Sequence, residues 1–247
     1  MTQRPATVRP RHRMVDRVSG ILEFVARSEG ASLTEIARHV GAPVSSVQGL
    51  VNGLVATGYL DERSRVYRLG AAPHFLNLVA GRGAVNRIVH DDLVRLHERT
   101  GRTSVVLAVA IGSDIVYIDH VSDDPRTAYL AERFLRRSLI RTSSGLVLMA
   151  DWEPRDLWAY LETLGDDDQS RVRLLLDELE SIRATDMSVL PNIAEDPELD
   201  GISIAVREGD RVVAAVGVVG RHADLARDRE QIITALREQA MEWDERD

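Results

Sequence analysis

Apolar positions in the first quarter of the chain recur with a helical period. Val18, Ile21, Leu22 and Val25 fall three or four residues apart, which predicts a helix over residues 13–28, stopped by Ser28-Glu29-Gly30. Ser32-Leu33-Thr34-Glu35 has the form of a capping box, in which a hydroxyl at the start and a carboxylate three residues on satisfy orphan amides. A short helix to about Val40 follows from it. Gly41-Ala42-Pro43 then reads as a turn, with Pro43 suited to the first position of the next helix. Val44, Val47, Leu50, Val51, Leu54 and Val55 give that third helix a buried stripe, and Gly58 is placed to end it in a left-handed conformation. The period then shortens. Tyr59-Leu60-Asp61 and Val66-Tyr67-Arg68-Leu69 predict two strands around the polar turn Glu62-Arg63-Ser64-Arg65.

Two short helices joined by a tight turn form a helix-turn-helix unit. With a helix before it and a hairpin after it, residues 13–70 describe a winged helix-turn-helix domain; the alternative is a small helical interaction domain. Residues 1–12 have no apolar period and read as a flexible basic arm. Residues 71–100 carry Leu76, Val79, Val85, Ile88, Val89, Leu93 and Leu96 at mostly helical spacing. They predict linker helices, one ending near Ala80 and one running to about Thr100, with Gly81 and Gly83 between them.

Residues 101–247 alternate strands and helices. Ser104–Ile111 and Ile115–His120 are β-branched and apolar, joined by Gly112-Ser113-Asp114. Residues 142–151 predict a helix capped by Thr142, and Pro154 opens another through about Leu164. Val172, Leu175, Leu176, Leu179 and Ile182 mark a long amphipathic helix. Strands return at Ile202–Val206 and Arg211–Val219, and a last helix runs from about Leu225 to Glu242. Paired strands and packed helices make this an α+β domain with a mainly antiparallel sheet.

Composition sharpens the division. The 247 residues carry a net charge of −8, unevenly spread. Residues 1–70 hold 10 basic and 6 acidic side chains, a balance of +4; residues 71–247 hold 21 and 33, a balance of −12. Polyanions are repelled by the second part and attracted only by the first. Every basic residue is Arg, a good bidentate phosphate ligand. There is no cysteine, which excludes disulfides, thiolate metal sites and cysteine nucleophiles. Apolar runs such as Val212–Val219 fall far short of the roughly 18 residues that span a bilayer. An Arg- and Pro-rich start does not resemble a signal peptide. The expectation is a soluble, cytoplasmic protein without membrane contact.

The segment SLTEIARHVGAPVSSVQGLVNGLVATGYLDERSRVYRLG resembles the DNA-binding domain of the isocitrate-lyase-regulator (IclR) family of bacterial transcription regulators. The resemblance lies in LTEIA, Gly41-Ala42-Pro43, Ser45-Ser46-Val47, Gly58-Tyr59-Leu60 and Tyr67-Arg68-Leu69-Gly70. It implies that the third helix reads the major groove of double-stranded operator DNA. That face offers Ser45, Ser46, Gln48, Gly49 and Asn52, and an Asn or Gln can bond bidentately to adenine. Relatives usually carry basic residues or His where this chain has Val44, Gln48, Gly49 and Asn52. No cation stands between Arg38 and Arg63, so phosphate attraction falls to Arg9, Arg11, Arg13, Arg17, Arg38, Arg63, Arg65 and Arg68, with Thr34 as a further candidate contact. An operator with A·T preference opposite Gln48 and Asn52 is expected.

The resemblance continues more weakly through Arg141-Thr142-Ser143-Ser144-Gly145-Leu146-Val147-Leu148-Met149-Ala150, Ser203-Ile204-Ala205-Val206 and Val212–Val218. It implies a GAF-like domain that binds small effectors, often organic acids, and mediates dimer or tetramer contacts. Arg141 and Leu146 replace the family's usual His or Cys and Lys, and the Pro that often follows Ser-Ile-Ala-Val is missing. The effector is expected against Arg141, Thr142, Ser143, Ser144, Gly145 and Ser203. Amides and hydroxyls at a helix N-terminus suit a carboxylate, and Arg141 can add a charge-assisted bond; equally, Thr142 and Ser143 can simply cap their helix.

No phosphate-binding loop, dinucleotide glycine fingerprint or Gly-x-Ser-x-Gly elbow is present. His90-Asp91-Asp92 and His97-Glu98 sit on a helix where consecutive residues diverge, so no metal is expected there. No cofactor is expected either. The reading is an effector-controlled transcription regulator, repressor or activator, working as a homo-oligomer. The alternatives are an oligomeric small-molecule-binding protein with weakened DNA binding, or a small-molecule enzyme.

Overall fold

The computed structural model describes residues 12–80, 85, 88–101, 103–124, 134–191, 193–194 and 196–245. They fall into two compact units, within residues 9–82 and 83–247.

The first unit runs α1 (Arg13–Arg27), β1 (Ala31–Ser32), α2 (Leu33–His39), α3 (Val44–Ala56), β2 (Leu60–Arg63), β3 (Val66–Leu69) and α4 (Ala72–Ala80). The capping box closes as its sequence predicts: Ser32 N donates to Glu35 Oε2 at 2.8 Å, and Glu35 N donates to Ser32 Oγ at 3.4 Å. Pro43 caps α3 from outside rather than opening it, because its ψ of 141° is extended. The end of α3 is a complete Schellman motif. Gly58, at φ +76°, donates to Val55 O, and Tyr59 N donates to Leu54 O. The hairpin is tighter than the composition suggests: Glu62 and Arg63 belong to β2, and only Ser64 and Arg65 turn, both at positive φ. The two-residue strand β1 pairs with β3, giving the order β1-β3-β2. Ile21, Val25, Ile36, Val47, Val51, Leu54, Leu60 and Tyr67 close the core, and each such side chain contributes about 1.5–3 kcal/mol by leaving water.

The second unit runs α5 (His90–Thr100), β4 (Ser104–Ile111), β5 (Asp114–Val121), β6 (Arg136–Ser138), α6 (Ser143–Ala150), α7 (Pro154–Leu161), α8 (Gln169–Thr185), β7 (Met187–Ser188), β8 (Leu199–Glu208), β9 (Arg211–Arg221), α9 (His222–Arg227) and α10 (Arg229–Asp244). The strands form one sheet of order β6-β5-β4-β9-β8-β7, with every neighbouring pair antiparallel. One core joins α6, α7 and α8 to one face; a second joins α5, α9 and α10 to the other. This is the α+β architecture expected of the chain.

The helix ending at Thr100 packs inside this unit: Leu93 and Leu96 are fully buried. The buried Asp92 carboxylate also accepts from Val89 N at 3.1 Å and from Trp243 Nε1 of α10 at 3.2 Å. The expected last helix is broken at Asp228 into α9 and α10.

Helix α6 is buried on all sides. It lies close to the sheet because the strand residues beneath it are small: Gly201, Ser203 and Ala205 on β8, and Ala215 and Gly217 on β9. A Cβ added at Gly217 would stand 2.7 Å from both Ser144 Oγ and Ser203 Oγ, so any side chain there would lift the helix.

Candidate functional site

The first candidate surface is the outer face of α3. Val47, Val51 and Leu54 fix one side of the helix in the core, which turns Ser45, Ser46, Gly49 and Asn52 outward and leaves Gln48 half-buried beside them. No side chain of α3 is charged. The face is therefore a set of neutral donors and acceptors, and any phosphate attraction comes from its surroundings. Arg13 and Arg17 stand at the start of α1, Thr34 is exposed in the first turn of α2, and Arg63 and Arg65 sit at the tip of the hairpin. Arg63 faces Asp61 at 3.4 Å with both side chains well exposed, so its charge is partly offset locally. Arg68 turns back to donate to Glu29 O at 3.1 Å. Arg9 and Arg11, expected as arm contacts, lie outside the described residues. Glu35, in the first turn of α2, has its carboxyl held below the usual carboxylate range by the Ser32 side chain and backbone.

The second candidate site lies where α6 meets β8. Thr142 caps α6 through Gly145 N, which donates to Thr142 Oγ1 at 3.0 Å. The next two side chains turn down onto the sheet. Ser143 Oγ lies 2.7 Å from Ser203 Oγ, and Ser144 Oγ lies 2.9 Å from the same atom. All three are buried. The structure thus brings Thr142, Ser143, Ser144, Gly145 and Ser203 together, but the serine hydroxyls are engaged with one another. No spare volume separates them: a Cβ at Gly201 would stand 2.3 Å from Ser143 Oγ. Arg141 points elsewhere. Its Nε donates to Asp168 Oδ1 at 2.9 Å and its Nη2 to Asp168 Oδ2 at 3.1 Å, while Arg171 reaches the same buried carboxylate at 3.3 Å.

The sequence reading did not single out Ser188. It is fully buried, and its hydroxyl has no hydrogen-bond partner. It stands directly opposite Ser203 in the β7–β8 register, so both side chains leave the same face of the sheet. Only the pairing of a two-residue strand reveals that, which no sequence period could. Cavities open elsewhere. One of about 300 Å³ lies at the far end of α6, lined among others by Trp152, Pro154, Arg183, Asp186 and Arg207. Another of about 270 Å³ includes Val206, Arg237, Met241 and Trp243.

His90 and His97 each turn to a separate carboxylate, Asp119 at 3.0 Å and Asp123 at 3.1 Å. Among the described residues no group of three or more metal-type ligands converges, and no helix is long and apolar enough to cross a membrane.

Comparison with known proteins agrees in both units. Residues 14–64 match the model of the IclR helix-turn-helix domain, and residues 79–245 match that of the bacterial transcriptional regulator IclR C-terminal domain. Among curated proteins, none matches the chain significantly in sequence. Among solved structures, the chain is similar to an IclR homologue from Microbacterium hydrocarbonoxydans complexed with 4-hydroxybenzoate. The TM-score is 0.68 at 23% identity, over 93% of this chain and 97% of that one. A putative IclR transcriptional regulator from a Silicibacter species gives 0.70 at 23% identity, over 94% and 95% of the two chains. IclR of Thermotoga maritima gives 0.59 at 23% identity, over 94% and 97%. At these identities the structural likeness speaks for the fold alone.

Proposed function

Because the chain belongs to the IclR family of bacterial transcriptional regulators, we propose that it is a repressor or activator that grips double-stranded operator DNA through α3 and is switched by a small organic acid held in its second unit. The observation that carries this reading is the outer face of α3: polar, uncharged and, among the described residues, covered by no element of its own unit. A helix held from behind by Val47, Val51 and Leu54, with Ser45, Ser46, Gln48 and Asn52 facing out, suits base edges in a major groove. Phosphate contacts are assigned to Arg13, Arg17, Arg63 and Arg65, with Thr34, and to Arg11 of the preceding arm.

A second copy of the chain completes the reader. Phe75, Leu76 and Val79 of α4 are 60%, 48% and 66% exposed, an apolar strip that self-association would cover. A two-fold dimer, alone or within a tetramer, would set its α3 helices in successive major grooves of a palindromic site, about 34 Å apart.

The effector reading rests on a count of hydroxyl protons. Ser143, Ser144, Ser188 and Ser203 carry one each; two hydrogen bonds join the first two to Ser203, and Ser188 makes none. Two protons are left over, beside the positive end of α6. A carboxylate, which accepts and never donates, matches that surplus, and its entry requires α6 to lift from the sheet, because no free volume separates the serines without it. The Microbacterium hydrocarbonoxydans homologue's 4-hydroxybenzoate makes that acid the first to try. The protein is read as a cytoplasmic non-enzyme that needs no cofactor.

Fluorescence anisotropy on promoter DNA beside its own coding region tests this reading. Affinity should fall with salt on a log–log slope of about 0.9 per phosphate contact, and an organic acid should shift it. Absence of sequence-selective binding even at low salt would favour the second reading, an oligomeric small-molecule-binding protein. The charge-free α3 is the feature that keeps that reading open.

A further inference from the structure

Gln48 and Asn52 lie four residues apart on α3, the spacing at which helix side chains are neighbours. They are bonded to each other: Gln48 Nε2 donates to Asn52 Oδ1 at 2.8 Å. Two amides joined this way do not read DNA independently. The bond fixes which end of the Asn52 amide is oxygen. It also holds the Asn52 plane against rotation, leaving one edge free with two Nδ2 protons and the second Oδ1 lone pair. Adenine needs that edge in the major groove, because its N7 accepts and its N6 amino group donates.

The two side chains are not equivalent. Asn52 is exposed, whereas Gln48 is half-buried one turn nearer the start of the helix. Two positions alongside them are bare. Gly49 and Gly53 each follow one of the pair, and a Cβ added at either would meet nothing within 4 Å. At neither of these two positions does a side chain hold a base edge away from Asn52.

We infer that Asn52 is the base-reading residue of α3 and that Gln48 is its positioning residue, so that the pair selects one adenine per half-site rather than two. This rests on α3 being the major-groove helix. It deepens that reading by making the contribution of one residue conditional on the other.

Operator selection from a random duplex library, using full-length protein, tests the inference. The wild type should prefer adenine at one position under α3 by roughly 5- to 150-fold, the range of a good bidentate contact. Asn52→Ala should abolish that preference. Gln48→Ala should weaken it several-fold at the same position and leave other positions unchanged. Gln48→Glu, which cannot donate to Asn52 Oδ1, should lose it as well. Gln48→Lys, which restores a donor, should recover it. A plain surface role for Gln48 would not produce that rescue. If Gln48→Ala relaxes a different base pair from Asn52→Ala, the two residues read separately and the inference is overturned. It is also overturned if either alanine variant keeps the full preference. A wild type that selects no sequence at all would instead sink the major-groove reading of α3.

Discussion

Two glycines in the middle of α3 yield a prediction with opposite signs for stability and binding. Gly49 and Gly53 lie within a 13-residue helix, where a glycine costs about 0.8–1.0 kcal/mol relative to alanine. Among the described residues, nothing inside the unit requires them. A Cβ at either position meets no atom within 4 Å, and neither has the positive φ that would exclude a side chain. Gly49→Ala and Gly53→Ala should therefore each stabilise the first unit by about 0.8–1.0 kcal/mol, and the double substitution by about twice that. For a unit of this size each kcal/mol raises the melting midpoint by roughly 4–8 °C. The same two methyl groups project from the face that meets DNA, so operator affinity should fall by about tenfold or more, an order of magnitude being about 1.4 kcal/mol. Thermal melts followed by hydrogen exchange of the α3 amides, beside anisotropy titrations on a selected operator, read both quantities on one preparation. If both variants melt higher yet bind as tightly as wild type, this face of α3 does not approach the duplex. If neither melts higher, the glycines answer an internal constraint and the argument from open space fails.

Other residues give further outcomes. Asp168 is buried and bonded by both Arg141 and Arg171, so Asp168→Asn removes the one negative charge that the two guanidinium groups share; urea unfolding should show a loss of about 3 kcal/mol or more, and a loss below about 1 kcal/mol would make the pairing incidental. Ser188→Ala removes a buried hydroxyl that has no partner, so the unliganded protein should be as stable or gain about 1–3 kcal/mol, while affinity for an acid effector drops; clear destabilisation without ligand would mean that Ser188 has a structural partner. The Glu35 carboxyl titrates below its usual value because Ser32 bonds to its charged form. Its stabilising effect is therefore full above the unfolded-state value and lost as pH falls through the lowered folded one. Melts of Glu35→Gln and wild type should converge toward about pH 3 and separate by about pH 6, and a constant gap would contradict the capping-box origin.

Local signals made much of the first unit legible. The Ser32–Glu35 box, the Gly58 stop and the period-3.6 stripe of α3 each act within a few residues, and each appears where its chemistry points. The short strands β1, β6 and β7 left no trace in the sequence. Two or three residues cannot display an alternation, and their existence depends on partners far along the chain. The same distinction holds at the sites. Gathering Thr142, Ser143 and Ser144 needed only a helix start, and Ser203 joined them through a recognisable strand. Ser188 could not be found, because its meaning comes from lying opposite Ser203. Arg141 was read for its charge, yet Asp168 at the start of α8 claims it, 27 positions away in the sequence. On α3 the spacing of Gln48 and Asn52 was visible; that they would bond to each other before either met a base was not.

The account turns on a cationic unit that holds a duplex and an anionic unit that senses an acid. The most direct measurement is capture of fragmented genomic DNA by the purified full-length protein at low ionic strength, with and without 4-hydroxybenzoate and other small organic acids, followed by titration of whatever is captured. The account predicts a small set of fragments sharing a palindromic site, bound with a steep salt dependence and released or tightened by at least one acid. Indifference to every fragment, with acids or without them, would contradict it.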